Sequence, residues 1–108
     1  MFEILFGNSS VNKSLLYLAR FEEGYPTQIA KNFDLPLNMI QLQLEKLERA
    51  GVLVSLKKGR TRVYTWNPRY LLKPELLALL KRAFDFMPES IIQKYYTKRT
   101  RPRRKGKP

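Results

Sequence analysis

The chain has 108 residues, with 21 Lys and Arg against 9 Asp and Glu, and its formal net charge is +12. It contains no cysteine and no histidine. These absences exclude disulfides, thiolate nucleophiles, Ser-His catalytic triads and zinc sites built on those residues. The five glycines are isolated from one another and form no phosphate-binding loop. We therefore expect a small protein that is not an enzyme and binds no metal or other cofactor.

The positive charge is confined to the second half of the chain. Residues 1–54 contain 5 bases and 6 acids, residues 55–93 contain 8 bases and 3 acids, and residues 94–108 contain 8 bases and no acid. This asymmetry favours nucleic acid as the partner, over an anionic membrane surface or a basic tail that only aids solubility. No signal sequence and no apolar run long enough to cross a bilayer is evident, so a cytoplasmic protein without a membrane partner is expected.

Periodic apolar residues predict three helices in the first half of the chain. The side-chain oxygens of Asn8-Ser9-Ser10 can cap the first helix, which is expected to stop at Glu22-Glu23-Gly24, where Gly24 can take the left-handed conformation. The second opens at Pro26, and the third spans residues 37–50 and ends at Gly51. The apolar faces carry Val11, Leu15, Leu18 and Ala19 in the first helix, Ile29, Ala30 and Phe33 in the second, and Ile40, Leu44 and Leu47 in the third.

Beyond Gly51 the apolar residues change to the two-residue period of a strand. Residues 52–57 and 62–66 predict two strands, joined by a basic turn at residues 58–61. Asn67-Pro68 ends the second strand. The sequence therefore predicts a β-hairpin with a basic tip.

The C-terminal third of the chain predicts a fourth helix, a short fifth one and a tail. Pro74 suits the first turn of the fourth helix, whose apolar stripe is wider than packing in one small domain requires. Pro88 interrupts this helix and is followed by another turn or two. From residue 97 onward there is no large apolar side chain, so residues 97–108 are expected to be disordered.

The order of these elements and several of their residues resemble a known class of protein. The matching residues are Pro26-Thr27-Gln28-Ile29-Ala30, Leu35-Pro36-Leu37-Asn38, Ile40, Leu44, Leu47, Ala50-Gly51-Val52-Leu53, Tyr64 and Asn67-Pro68. Together they resemble the winged helix-turn-helix regulators of the ArsR/MarR type. The resemblance implies that the third helix enters the major groove of duplex DNA and that the hairpin, the wing, lies along the backbone or the minor groove.

Four side chains of the third helix lie opposite its predicted core face and are candidate base contacts. They are Asn38, Gln41, Leu42 and Glu45. Asn and Gln can each form two hydrogen bonds with adenine, which makes Asn38 and Gln41 the expected base readers. An exposed Leu42 could touch a thymine methyl group or belong to a partner surface. The simpler alternative is a solvated polar face, as on any surface helix.

Polar and basic residues of the second helix, the wing and the tail are candidate contacts to DNA phosphates. They are Gln28 and Lys31 in the second helix, Lys57, Lys58, Arg60, Thr61 and Arg62 in the wing, and Lys98, Arg99, Arg101, Arg103, Arg104 and Lys105 in the tail. Such contacts fix register but carry no sequence information. Protection of an edge strand by the wing cations, and solubility for the tail, are the simpler alternatives.

These observations predict a mainly helical α+β fold with three parts. Residues 1–72 form the winged helix-turn-helix domain, residues 73–96 form C-terminal packing and dimerisation helices, and residues 97–108 form the disordered tail. The first and fourth helices are expected to form the dimer surface, with the contacts Leu76, Leu79, Leu80, Ala83, Phe84 and Met87. The predicted function is a sequence-specific regulator, a repressor, that binds double-stranded DNA as a homodimer.

One alternative function stays open. The protein could be an accessory subunit that binds DNA or RNA with little sequence specificity and meets a protein partner through Leu42 or the C-terminal helix. For RNA or single strands, Tyr95 and Tyr96 beside the tail are the candidate stacking residues.

Overall fold

A computed structural model describes residues 9–97 of the chain. All the candidate tail cations, from Lys98 onward, lie outside the described residues. The described elements are α1 (Ser9–Phe21), β1 (Glu23–Gly24), α2 (Pro26–Phe33), α3 (Leu37–Arg49), β2 (Leu53–Lys58), β3 (Thr61–Trp66), α4 (Lys73–Phe84) and α5 (Glu89–Tyr95). This order confirms the predicted mainly helical α+β fold.

The core forms around α1, which packs against α2, α3 and α4. Its most deeply buried apolar side chains come from the faces predicted by helical periodicity and from the sheet: Leu15, Leu18, Ile29, Ile40, Leu44, Leu53 and Leu80. Val11 and Leu47, which were also predicted to point inward, are half-buried at the rim of this core. The prediction of three amphipathic helices is therefore confirmed.

A tight turn joins α2 to α3. Asp34 takes the left-handed conformation, with φ of 56°, and ends α2. The N–H group of Leu35 then donates to the carbonyl oxygen of Ala30 at 2.9 Å, and Pro36 precedes the first residue of α3. The first N–H groups of a helix have no partner within the helix. Proline, which lacks an N–H group, is therefore well tolerated where a helix begins.

The sheet has three antiparallel strands in the order β1-β3-β2, and β1 was not predicted. The expectation that Gly24 takes the left-handed conformation is wrong. Glu22 takes that conformation instead, with φ of 74°, and Gly24 pairs with Tyr64 of β3. A Cβ atom on Gly24 would lie 2.8 Å from Cε1 of Tyr17 and 3.3 Å from Cδ1 of Ile29. Glycine is therefore needed here for close packing rather than for an unusual backbone angle.

The hairpin turn is shorter than predicted. Only Gly59 and Arg60 separate β2 from β3, and Gly59 has the positive φ, 64°, that such a turn requires. In this register Leu53 lies opposite Trp66, Ser55 opposite Tyr64 and Lys57 opposite Arg62. Because alternate residues of a strand share a face, these pairs lie on one side of the sheet. On that side Leu53, Tyr64 and Trp66 are buried, while Lys57 and Arg62 are exposed near the tip.

The C-terminal residues pack back onto the N-terminal helices. The Arg20 guanidinium donates through Nε to the carbonyl oxygen of Tyr96 at 2.7 Å, and the Asn32 amide donates to that of Tyr95 at 3.0 Å. The rings of Phe33 and Tyr95 stack with their centroids 5.4 Å apart, and only 3% of Tyr96 is exposed. A buried ring cannot stack on a base, so Tyr96 is contradicted as an RNA-stacking residue.

Candidate nucleic-acid interface

The outward face of α3 carries the four predicted base contacts as one exposed stripe. Asn38, Gln41, Leu42 and Glu45 are all exposed, while Ile40 and Leu44 on the opposite face are fully buried. Their spacing of i, i+3, i+4 and i+7 places them along one side of the helix. Leu42, which is 46% exposed, lies within this polar stripe.

The two predicted phosphate contacts of α2 are both exposed, but they differ in their surroundings. Lys31 lies in the last turn of the helix. The side-chain oxygen of Gln28 accepts a hydrogen bond from the N–H group of Tyr25 at 3.4 Å, which satisfies a backbone donor at the start of α2. Gln28 therefore has a capping role that the sequence prediction did not assign.

The tip of the wing gathers the predicted cations. Lys57, Lys58 and Arg60 are exposed at or beside the two-residue turn, and Thr61 opens β3. Cations on an exposed turn are the arrangement expected of a contact to the phosphate backbone. The fifth residue of the predicted set, Arg62, is held differently from the others.

Arg62 belongs to a hydrogen-bonded chain between the wing and α3. Its Nη1 atom donates to Oγ of Ser55 at 2.8 Å, and that hydroxyl donates to Oε2 of Glu48 at 2.7 Å. Ser55 and Glu48 were not predicted as functional residues. Each bond joins residues seven positions apart across a turn or a helix–strand boundary, so no helical or strand period relates them.

The same junction contains a concentration of charge around Tyr64. Burial raises the pKa of the Tyr64 hydroxyl, the carboxylates of Glu48 and Glu45 raise that pKa further, and the Arg62 guanidinium lowers it. The outward side of α3 next to the wing therefore contains two acids near one arginine. This part of the surface is less positive than the wing tip.

The predicted dimer contacts are divided by the structure into two groups. Leu80 is completely buried in the chain's own core and is not available to a partner, so its assignment to a dimer surface is contradicted. Leu76, Ala83, Phe84 and Met87 are partly buried and pack against that core. Of the predicted set only Leu79 is largely exposed, at 42%. Other apolar side chains exposed on and around the C-terminal helices are Leu71, Leu72, Phe86 and Ile91.

Across residues 9–97, no group of His, Cys, Asp or Glu side chains is arranged to hold a metal ion. The helices within these residues also include none that is long and apolar enough to cross a membrane.

The connection between α2, α3 and the hairpin decides the fold. A three-residue turn joins the two helices, α3 leads into the wing, and β1 completes a three-stranded sheet beside them. The chain has the winged helix-turn-helix fold. The resemblance inferred from the sequence is thus confirmed at the level of the fold.

Solved structures with the same winged helix-turn-helix fold are named as transcriptional regulators. The AntR antimony-specific transcriptional repressor superposes with a TM-score of 0.63 at 21% identity, over 82% of this chain and 78% of that one. The adhesin competence repressor AdcR from Streptococcus pyogenes gives a TM-score of 0.59 at 15% identity, over 86% and 75% of the two chains. The transcriptional regulator BldR from Sulfolobus solfataricus gives a TM-score of 0.58 at 15% identity, over 84% of this chain and 66% of that one. No protein-family model and no curated protein sequence matches the chain.

Proposed function

We propose that this winged helix-turn-helix protein is a transcriptional regulator that binds double-stranded DNA. The observation that carries the proposal is the exposed stripe of α3, from Asn38 to Glu45, beside a wing whose tip is basic. In this fold α3 is the helix that enters the major groove, while the wing contacts the backbone. In this proposal α3 contacts base edges and provides sequence specificity, while the wing contacts phosphates and fixes the register on the duplex.

The composition of the stripe favours A·T base pairs as its target. An Asn or Gln amide matches the N6 donor and N7 acceptor of adenine, and an apolar side chain matches the methyl group of thymine. Gln41 and Leu42 are adjacent, and Asn38 lies one turn before Leu42. The stripe therefore presents both chemistries to neighbouring positions in the groove.

We further propose that the protein acts as a homodimer through its C-terminal helices. Leu79 and Phe86 are 42% and 76% exposed, and the side chains before α4 include Leu71 at 91% exposure and Leu72 at 57%. Apolar side chains exposed this close together favour association between copies. In this proposal residues 1–72 bind DNA, residues 73–96 both pack on the core and dimerise, and the basic residues from Lys98 onward neutralise phosphates.

Repression is the proposed mode of action. AntR and AdcR are named as repressors, and a small DNA-binding dimer can repress by occupying a site that transcription needs. Chromosomal DNA as the target would place the protein in the cytoplasm of a bacterial or archaeal cell.

The test is a selection of binding sites from random duplexes at two salt concentrations. The full-length protein should enrich a palindromic, A·T-containing site and lose affinity steeply as the salt concentration rises. An Asn38→Ala, Gln41→Ala variant should keep nonspecific binding but lose enrichment, whereas Lys81→Ala on the exposed side of α4 is the control that should match wild type. No binding to any duplex would overturn the proposal.

A second candidate function is that of an accessory subunit with little sequence specificity. It is favoured by the composition of α3, where Lys46 and Arg49 are the only bases and where Glu45 and Glu48 lie near the wing. In that case Leu42 or the exposed C-terminal side chains would contact a protein partner. The same selection distinguishes the two functions, because the accessory subunit would bind DNA or RNA without enriching a sequence.

A further inference from the structure

The chain of hydrogen bonds from Glu48 to Arg62 joins the two surfaces that would contact DNA. Glu48 lies in the last turn of α3, Ser55 in β2 and Arg62 in β3. Ser55 accepts a hydrogen bond from Arg62 and donates one to Glu48, at 2.8 and 2.7 Å. Because Ser55 and Arg62 are on the same face of the hairpin, both turn toward α3.

The position of Glu48 is unfavourable unless its carboxylate has such a partner. A negative charge in the last turn of a helix opposes the helix dipole, and an acid beside a surface that meets phosphates repels them. Its hydrogen bond with Ser55 is charge-assisted, which is the stronger kind of hydrogen bond. Burial is the main cause of the raised pKa of Tyr64; the smaller contributions of Glu48 and Glu45, which Arg62 opposes, agree with this geometry.

Arg62 retains donors for a second partner. A guanidinium carries five N–H donors in a fixed fork, and the bond to Ser55 uses one of them. Its side chain is exposed at the junction of α3 and the wing. Of the other wing cations, Lys57 lies opposite Arg62 in the hairpin, and Lys58 and Arg60 lie at its tip.

We propose that Glu48, acting through Ser55, positions Arg62 as a phosphate contact that fixes the angle between α3 and the wing on duplex DNA. This inference rests on the proposed function and adds to it two positioning residues, Glu48 and Ser55, which do not themselves touch DNA. The wing and α3 then dock as one unit, because the contact that orders Arg62 also joins them.

The test compares two nearly isosteric replacements of Ser55. Ser55→Thr keeps the hydroxyl, while Ser55→Val removes it. Val and Thr have nearly the same shape and the same preference for strands, so the two variants differ mainly in the hydroxyl. On the selected duplex, Ser55→Thr should bind within about twofold of wild type, and Ser55→Val should bind about tenfold more weakly. Ser55→Thr should keep the wild-type slope of affinity against salt. Ser55→Val should lose part of that slope, up to the loss seen with Arg62→Ala, because a mispositioned Arg62 no longer neutralises its phosphate.

A double-mutant cycle with Arg62→Ala separates positioning from a general effect on the fold. Arg62→Ala should reduce the salt slope by about 0.9, the value for one lost phosphate contact. In that background Ser55→Val should cause no further loss, since the residue it positions is gone. Thermal unfolding of each variant verifies that the domain remains folded.

The outcomes distinguish this inference from the function on which it rests. If wild type binds no duplex, the proposed function and the inference fail together. If wild type binds DNA but Ser55→Val matches Ser55→Thr, or if Arg62→Ala leaves the salt slope unchanged, only the inference is overturned. An equal loss from Ser55→Val with and without Arg62 would also overturn it, because the effect would then be independent of Arg62.

Discussion

The indole Nε1 atom of Trp66 donates a hydrogen bond to the backbone carbonyl of Leu18, with 3.0 Å between the two heavy atoms. The same carbonyl also accepts a bond from the N–H group of Glu22 at 2.8 Å. Trp66 is the last residue of β3, and Leu18 lies in the final turns of α1. One buried contact therefore attaches the end of the wing hairpin to the central helix and sets where the wing projects.

Replacing Trp66 with Phe should destabilise the protein by about 1–3 kcal/mol. The variant loses a buried hydrogen bond, and the space occupied by the second ring of the indole becomes a cavity. Glu22 still satisfies the Leu18 carbonyl, so no buried acceptor is left unpaired. Trp66 is the only tryptophan of the chain, so the variant has no tryptophan fluorescence to report unfolding. Urea unfolding is therefore followed by far-UV circular dichroism. An unchanged midpoint would mean that this contact does not contribute to stability.

Leu42 should read thymine through its methyl group. Replacing the contacted thymine by deoxyuridine removes that methyl alone and should weaken wild-type binding about fourfold, equivalent to about 0.8 kcal/mol for one buried carbon. The Leu42→Ala variant should bind the thymine and uridine duplexes equally. Fluorescence anisotropy on the two duplexes measures both effects, and equal sensitivity of wild type and variant would contradict the assignment.

The wing-tip cations should contribute mainly to the electrostatic part of binding. Lys58→Ala and Arg60→Ala should each reduce the slope of log affinity against log salt by about 0.9 and weaken specific and nonspecific duplexes alike. Lys81→Ala, which removes an exposed cation of α4, is the matched control and should leave the slope as it is. A wing variant that changed sequence preference without changing the slope would indicate base reading instead.

Deleting residues 98–108 removes seven cations and should weaken binding to every duplex while flattening its salt dependence. A second variant keeps the length but replaces these cations with Gly and Ser, so that charge is separated from chain length. The two variants should behave alike. If the deletion leaves the salt slope unchanged, the tail does not contact phosphates.

Alkaline pH should destabilise the fold, partly through Tyr96. Burial raises the pKa of Tyr96 well above its usual value of 10.0, and neighbouring Tyr95 adds to this effect. The folded state therefore holds the Tyr96 proton more tightly than the unfolded state, so stability falls as the pH rises above about 10. Burial also raises the pKa of Tyr17 and Tyr64, which act in the same direction.

Thermal unfolding between pH 8 and 11 can assign the share that belongs to Tyr96. The melting temperature of Tyr96→Phe should fall less over this range than that of wild type, because one group that binds its proton preferentially in the folded state is absent. Tyr25→Phe removes a hydroxyl from a more exposed ring and is the control. Parallel pH profiles for wild type and Tyr96→Phe would contradict the prediction.

Local patterns in the sequence were enough to predict the helices and most of the hairpin. The apolar periods placed Ile29, Ile40 and Leu44 correctly in the core, and the stripe from Asn38 to Glu45 followed from the same helical geometry. Gly51 marked the end of α3, and its positive φ of 83° agrees with that reading. These features depend on neighbours within one or two turns of the chain, which is the distance over which sequence patterns are informative.

Other features were decided by tertiary structure alone. The two residues of β1 form a strand only because β3 lies beside them, and Gly24 is required there by the ring of Tyr17. Leu79 and Leu80 were both predicted dimer contacts, yet packing against the core buries Leu80 and leaves Leu79 exposed. The chain from Glu48 through Ser55 to Arg62 likewise exists only after the hairpin folds against α3. Contacts between distant segments depend on how whole elements pack, and the residues that make them share no local period from which they could be predicted.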